Sequence, residues 1–142
     1  MKADLLAWFY AIVLAFVVLL VVTAGHAAEG ATYFTRDELC NGQSPCDLDA
    51  SLMDGLDCIR TTVGKPVIVT SGYRSPSRNT AVGGVVGSLH VSGRAADIKV
   101  AGVSPRTVAE VARQCGFGGI GTYDRHVHVD TGPARRWTGT SR

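Results

Sequence analysis

An uncharged apolar run at residues 5–22, LLAWFYAIVLAFVVLLVV, restricts the fold of this chain more than any other feature. Its length is close to the roughly 20 residues that span a bilayer as a helix. A helix that is apolar on every side has no surface to be buried against in so small a protein. We therefore expect this segment to be a helix that meets a membrane, and the remaining residues to form the folded part of the protein.

The residues around the apolar run resemble those of an export signal. Lys2 precedes the run, and the small residues of TAGHAAEG follow it. A cut after Ala27 would divide the chain into a signal peptide, 1–27, and one domain, 28–142. A retained membrane anchor is the alternative, because the run is longer than the about 7–15 apolar residues of an ordinary signal. Both alternatives predict a domain outside the cytoplasm, periplasmic or secreted, that meets a membrane only through residues 5–22.

The charge balance argues against a nucleic-acid partner. The chain has 14 Lys and Arg against 12 Asp and Glu, a net charge of +2, and no block of like charges. Nucleic-acid binding needs a clustered basic surface. With 142 residues, the chain has room for a single domain. We expect a monomer that does not bind nucleic acid.

Four cysteines follow the apolar run, and an even number in an exported chain predicts two disulfides. Three pairings are possible. We favour Cys40 with Cys46, which closes a tight loop and leaves Cys58 to pair with Cys115. A structural zinc site is the weaker alternative, because the chain has no Cys-x-x-Cys pair.

The order of the predicted elements is that of an α+β domain. Apolar residues recur at helical spacing from Leu48 to Ile59, and Asp47 or Asp49 can cap that helix. The predicted elements are a helix to about Thr62, strands at 66–72, Arg94–Val100, Gly119–Tyr123 and His126–Asp130, and a helix from Pro105 to Cys115. Irregular structure is expected at 28–47, in the long Gly-rich connection 73–93 and in the tail.

One predicted strand carries metal-binding residue types on a single face. Successive side chains of a strand point to opposite faces. In HVHVD, the apolar Val127 and Val129 therefore lie on one face, and His126, His128 and Asp130 lie on the other.

Asp97 and His90 extend this set. Asp97 lies opposite the apolar side chains of its own strand, and His90 lies at the end of the connection 73–93. Gly93 lets the chain turn back between them. Imidazole nitrogen and carboxylate oxygen are normal zinc ligands, and three protein ligands leave a fourth position for water. A single His is more often a surface residue, and Asp97 could instead pair with Arg94, so this pattern alone leaves the metal open.

The stretch SGYRSPSRNTAVGGVVGSLHVSGRAADI resembles the signature of the zinc D-alanyl-D-alanine carboxypeptidase-like metallopeptidases. Its core, S-x-H-x-x-G-x-A-x-D, runs from Ser88 to Asp97, and GGIGTYDRHVHVDTGPARRW resembles the family's second block. The resemblance covers about residues 33–137. It implies a fold similar to hedgehog domains and D,D-peptidases, with a small antiparallel sheet and flanking helices. It also implies hydrolysis of peptidoglycan, by a D-alanyl-D-alanine carboxypeptidase or a wall endopeptidase.

The resemblance also assigns roles to individual residues. It implies one Zn²⁺ ion held by His90, Asp97 and His128. Arg74 matches an arginine that binds substrate or stabilises the oxyanion, a role that suits a planar guanidinium group. Ser88 would lie beside the ligand loop and contact substrate, which would be a peptidoglycan stem peptide.

The general base is the point at which this sequence departs from the family pattern. Several relatives have Glu or Asp three residues before the last His ligand, where this chain has Arg125. We favour His126, which matches the first His of an H-x-H variant and has an intrinsic pKa near ~6.5. Asp130 is the alternative catalytic residue, or it orients a ligand histidine. Tyr123 is a candidate for contacting the substrate carbonyl.

The departure at Arg125 leaves two other functions open. One is a non-catalytic module that keeps the fold and the zinc and only binds cell-wall peptides. The other is a secreted, disulfide-stapled structural domain without metal.

Overall fold

The computed structural model describes residues 33–141. The apolar run 5–22, and with it the predicted signal peptide or membrane anchor, lies outside the described residues. Within residues 33–141, no helix is long and apolar enough to cross a membrane.

The described residues form four helices and five strands. The helices are α1 (Arg36–Cys40), α2 (Ala50–Val63), α3 (Pro76–Ala81) and α4 (Pro105–Gln114). The strands are β1 (Val67–Ser71), β2 (Ala95–Val100), β3 (Gly119–Thr122), β4 (Val127–Asp130) and β5 (Arg135–Thr138).

The strands form one sheet in the order β1-β2-β4-β3-β5. All neighbouring strands are antiparallel except β3 and β5, which are parallel. The expected α+β class is therefore confirmed, but the expected antiparallel sheet was wrong in one respect, because the sheet is mixed. The difference arises from β5, an edge strand whose RRWT sequence is largely exposed and lacks the apolar alternation of a half-buried strand.

Both predicted long helices are present, the first begins at one of its two predicted caps, Asp49, and the second is capped by Ser104. The side chain of Asp49 accepts a hydrogen bond from the amide of Ser51, and that of Ser104 accepts one from Thr107. The short helices α1 and α3 fall in segments where we expected irregular structure. Helices of five and six residues are too short to show an apolar repeat.

One face of the sheet packs against α2 and α4. The predicted alternation is confirmed here, since Ala96, Ile98, Val127 and Val129 are buried. They form one cluster with apolar residues of the helices, among them Leu52, Leu56, Ile59, Val108 and Ala112. Burying one face of β2 and β4 leaves the opposite face of these two strands for polar side chains.

Two disulfides join the pairs that we favoured, Cys40–Cys46 and Cys58–Cys115. The second links α2 to the residue that follows α4, and its cysteines are 57 residues apart against 6 for the first. A disulfide destabilises the unfolded chain more when it closes a longer loop.

Removing the long-range disulfide should therefore cost more stability than removing the short one. Replacing Cys58 and Cys115 with serine should lower the free energy of unfolding by about 4 kcal/mol, and replacing Cys40 and Cys46 by about 2 kcal/mol. Urea unfolding of both double variants checks this order. Equal losses, or a larger loss for the short loop, would contradict it.

Candidate metal centre

The sheet register brings Asp97 and His128 together. In the antiparallel pairing of β2 with β4, Asp97 lies directly opposite His128, and Ile98 lies opposite Val127. Directly paired residues point to the same face. Because the Ile98 and Val127 side chains are buried in the core, Asp97 and His128 project from the other face, as the sequence predicts.

His90 reaches the same point from the loop before β2, and its side chain is only 3% exposed. Its Nδ1 lies 2.6 Å from the carbonyl oxygen of Gly72, which can only accept a hydrogen bond. Nδ1 therefore carries the proton, and Nε2 presents a lone pair. The loop turns back at Gly93, whose φ of +64° is in the left-handed region that favours glycine. This confirms the predicted turn.

The three side chains place one ligand atom each in a small triangle. His90 Nε2 is 3.3 Å from His128 Nδ1 and 3.4 Å from Asp97 Oδ1, and the latter two atoms are 3.0 Å apart. In a tetrahedral zinc site with bonds of about 2.0–2.1 Å, neighbouring ligand atoms are about 3.3 Å apart. The donor types and their spacing therefore fit one zinc ion. The three residues form a group that could hold a metal ion.

A buried carboxylate holds the far edge of the His128 ring. His128 Nε2 lies 2.9 Å from Oδ2 of Asp130, whose side chain is completely buried. This hydrogen bond places the proton on Nε2 and leaves Nδ1 facing Asp97. Asp130 thus lies on the opposite side of the ring from the triangle, a position that suits orienting His128 better than accepting a proton from substrate.

The charges around the triangle favour an ionised carboxylate. Burial opposes ionisation of Asp97, but hydrogen bonds from His128 and His90 in their protonated forms, in which both ring nitrogens carry a proton, outweigh it and hold the pKa of Asp97 well below its usual range. Arg74 adds a hydrogen bond of 2.5 Å from its guanidinium group to Asp97 Oδ2, the oxygen outside the triangle. Its Nε donates to Ser71 Oγ at 2.9 Å. Arg74, which we expected at the substrate, therefore contacts the carboxylate of the candidate ligand Asp97.

His126 lines a cavity of about 270 Å³ beside the triangle, together with Asp97, Lys99 and Arg125. Its ring stacks on that of Tyr123, with centroids 4.4 Å apart and planes within 8°. Burial lowers the pKa of His126 below its usual range, which favours the neutral ring. The exposed Arg125 lines the same cavity.

The other two sequence candidates lie further out. Tyr123 accepts a hydrogen bond of 3.0 Å on its hydroxyl from Trp137 Nε1, besides stacking on His126. Ser88 lines a separate cavity with residues of α3, among them Pro76 and Asn79. The structure therefore brings Tyr123 to the wall behind His126 and does not bring Ser88 into the cavity of Asp97 and His126.

Two residues of β5 at the site were missed by the sequence analysis. Arg135 contacts Asp130, and the ring of Trp137 lies 5.3 Å from that of His128, centroid to centroid. Arg135 lies in a tail without apolar periodicity, where a basic residue is expected to be exposed to solvent. The spacing of Arg135 and Trp137 was nevertheless informative. The two residues are two positions apart, so they would share a face if the tail formed a strand.

Comparisons with known proteins show the family of this chain. A model of the family described as Peptidase M15 matches residues 14–130. The Peptidoglycan L,D-endopeptidase MepK of Escherichia coli (strain K12) is 35% identical over 114 residues, 74% of this chain and 62% of that protein. The Probable peptidoglycan L,D-endopeptidase MepK of Haemophilus influenzae is 34% identical over 117 residues, 75% of this chain and 62% of that protein.

The name of a third relative includes zinc. The Zinc D-Ala-D-Ala carboxypeptidase of Streptomyces albus G is 35% identical over 92 residues, 61% of this chain and 36% of that protein. The chain thus spans 62% of the length of the two MepK relatives and a smaller part of the carboxypeptidase.

Proposed function

Because the chain belongs to the peptidase M15 family, we propose that it is a zinc-dependent peptidase that hydrolyses peptide bonds of peptidoglycan. The observation that carries this proposal is the triangle of His90 Nε2, Asp97 Oδ1 and His128 Nδ1. Its donor types and spacing match a three-residue zinc site, the arrangement that leaves a position for water. The relatives named for peptidoglycan and for D-Ala-D-Ala support stem peptides as the substrate class.

Zinc held by these three residues would act as a Lewis acid and make water a nucleophile near neutral pH. Other residues of the chain orient the two ligand histidines. Asp130 and the Gly72 carbonyl fix the two imidazole rings from behind. Their hydrogen bonds select the tautomer in which each ring presents a lone pair to the triangle.

Proton transfer is the proposed role of His126. It shares a cavity with the ligand Asp97, and its pKa is lowered, so that the neutral ring is available to accept a proton. The stacked Tyr123 ring limits the orientations that His126 can adopt, which is the role we propose for Tyr123. Arg74 holds Asp97 in place and adds positive charge where the substrate carbonyl would develop negative charge.

The proposed location is outside the cytoplasm. Two disulfides are typical of exported proteins, and a peptidoglycan substrate lies in the same compartment. We propose residues 1–27 as the export signal or anchor and 28–142 as a monomeric peptidase domain. Amino-terminal sequencing of the mature protein distinguishes the two: a retained anchor leaves Met1 as the first residue, and cleavage of the signal leaves Ala28.

A non-catalytic, zinc-containing module that binds cell-wall peptides is the second candidate. The exposed Arg125 favours it, because this cation lies in the cavity of His126, at the position where the family resemblance implies an acid. Turnover is the property that separates the two functions.

Digestion of purified muropeptides tests the proposal. The zinc-loaded protein should shorten stem peptides or open cross-links, and a chelator should stop this until zinc is restored. Loss of a single terminal D-alanine in the mass spectrum would indicate a carboxypeptidase, and separation of two peptides would indicate an endopeptidase. If the zinc-loaded protein binds muropeptides and leaves every one intact, the binding module replaces the enzyme.

A further inference from the structure

We propose that Arg135, on the edge strand β5, is a positioning residue of the metal centre. It acts through Asp130, which in turn holds the ligand His128. This inference rests on the proposed zinc site and does not depend on which peptide bond is cut.

The contact between Arg135 and Asp130 is a two-pronged ion pair. One terminal nitrogen of Arg135 lies 2.7 Å from Asp130 Oδ2, and the other lies 3.1 Å from Oδ1. Such a fork fixes the plane of a carboxylate as well as its position. Asp130 is completely buried, and an ionised carboxylate in that position requires a partner.

The same carboxylate connects directly to the metal ligand. Its Oδ2 lies 2.9 Å from His128 Nε2, and its Oδ1 accepts a hydrogen bond of 2.8 Å from the amide of Gly132. Without Arg135, His128 and Gly132 would be the remaining partners of the carboxylate among residues 33–141, and its plane would no longer be fixed by the fork. The His128 ring, and with it Nδ1, would then lose a defined orientation.

The position of β5 makes this contact possible. Arg135 pairs with Gly119 of β3 in the parallel register. A Cβ atom at Gly119 would collide with the carboxylate of Asp130, so only glycine leaves room for it. Residues two apart on a strand share a face, and Trp137 also packs against the His128 ring.

Arg136 offers a matched control on the same strand. Its guanidinium group contacts the backbone carbonyls of Gly118, Phe117 and Arg135 and does not contact Asp130. Replacing it removes an arginine from β5 and some stability, and leaves the Asp130 carboxylate untouched.

Zinc affinity of the full chain, measured in mild detergent against a chromophoric chelator, tests the inference. Loss of a group behind a metal ligand typically weakens metal binding about 10–100-fold. Because Arg135 acts one step further out, we expect Arg135→Gln to weaken zinc binding about tenfold. Arg135→Lys, which keeps the charge and loses the fork, should recover part of this loss. Arg136→Gln should remain within about twofold of the parent.

A double-mutant cycle with Asp130→Asn shows whether Arg135 acts through Asp130. In the Asp130→Asn background, Arg135→Gln should change zinc affinity much less than it does in the parent, because the carboxylate it positions is gone. The absorption spectrum of the Co²⁺-substituted Arg135→Gln variant should also differ from that of the parent, as a reoriented His128 requires. This second readout decides the matter if Asp130→Asn does not fold.

Three results would overturn the inference: equal zinc affinities for Arg135→Gln and Arg136→Gln, full additivity in the cycle, or a parent chain that does not bind zinc. Its failure is distinguishable from failure of the proposed function. A parent that binds zinc tightly and cleaves no muropeptide contradicts the enzyme alone, and an unchanged Arg135→Gln affinity contradicts this inference alone.

Discussion

Replacing His128 with alanine should abolish zinc binding and, with it, hydrolysis of muropeptides. Loss of a group that only supports a ligand costs about 10–100-fold in affinity or activity, so loss of a ligand itself should cost more than 100-fold. His90→Ala should have the same effect, because its Nε2 and His128 Nδ1 are only 3.3 Å apart and would share one ion. Zinc content per chain and the rate of muropeptide cleavage are the measurements.

Asp97→Asn separates the metal site from a purely structural ion-pair network. Asp97 contacts Arg74 as well as the two histidines. If the network were only structural, this variant would lose stability, and its zinc content would equal that of the parent, near zero. We expect instead that the parent holds one zinc and that Asp97→Asn and His128→Ala both lose it. A parent with one zinc that both variants retain would show that the metal lies elsewhere.

Replacing His126 with alanine should reduce turnover by about 10²–10⁴-fold and leave zinc affinity unchanged. That range is typical of losing a general acid or base. The expectation follows from the position of His126, which lies in the cavity of Asp97 but outside the triangle of ligand atoms. The cleavage rate and the zinc dissociation constant must be measured on the same variant.

His126→Gln is the matched variant for this prediction. Glutamine keeps much of the size and the hydrogen-bonding capacity of the side chain and cannot accept a proton near neutral pH. It should therefore be as inactive as His126→Ala. Recovery of turnover in His126→Gln would assign His126 a packing or hydrogen-bonding role, and unchanged turnover in both variants would place the base at another residue.

The polar face that carries the candidate metal centre could be predicted from local rules, whereas the choice of ligands on it came from the family resemblance. Alternation along β2 and β4 places Asp97 and His128 on the face opposite the apolar side chains. The antiparallel register of the two strands then pairs Asp97 with His128. The long helices were predictable for a similar reason, since Asp49 and Ser104 are favourable caps that precede apolar repeats. Each of these inferences needs only a few consecutive residues.

The supporting groups of the site could not be predicted in this way. Arg135 and Trp137 lie on an edge strand that is mostly exposed, so no apolar alternation marks it. Their contacts with Asp130 and His128 depend on β5 pairing with β3 in parallel, a long-range choice that no local pattern encodes. The sequence therefore predicts irregular structure for the tail, although β5 contacts Asp130 and His128 on one side of the candidate metal centre.

Locating the metal tests the proposed zinc site at the level of individual atoms. We expect anomalous X-ray diffraction at the zinc absorption edge, from crystals of the zinc-loaded protein, to show one strong peak. It should lie about 2.0–2.2 Å from His90 Nε2, Asp97 Oδ1 and His128 Nδ1. No peak within the triangle, or a peak bound by other residues, would contradict a zinc site formed by His90, Asp97 and His128.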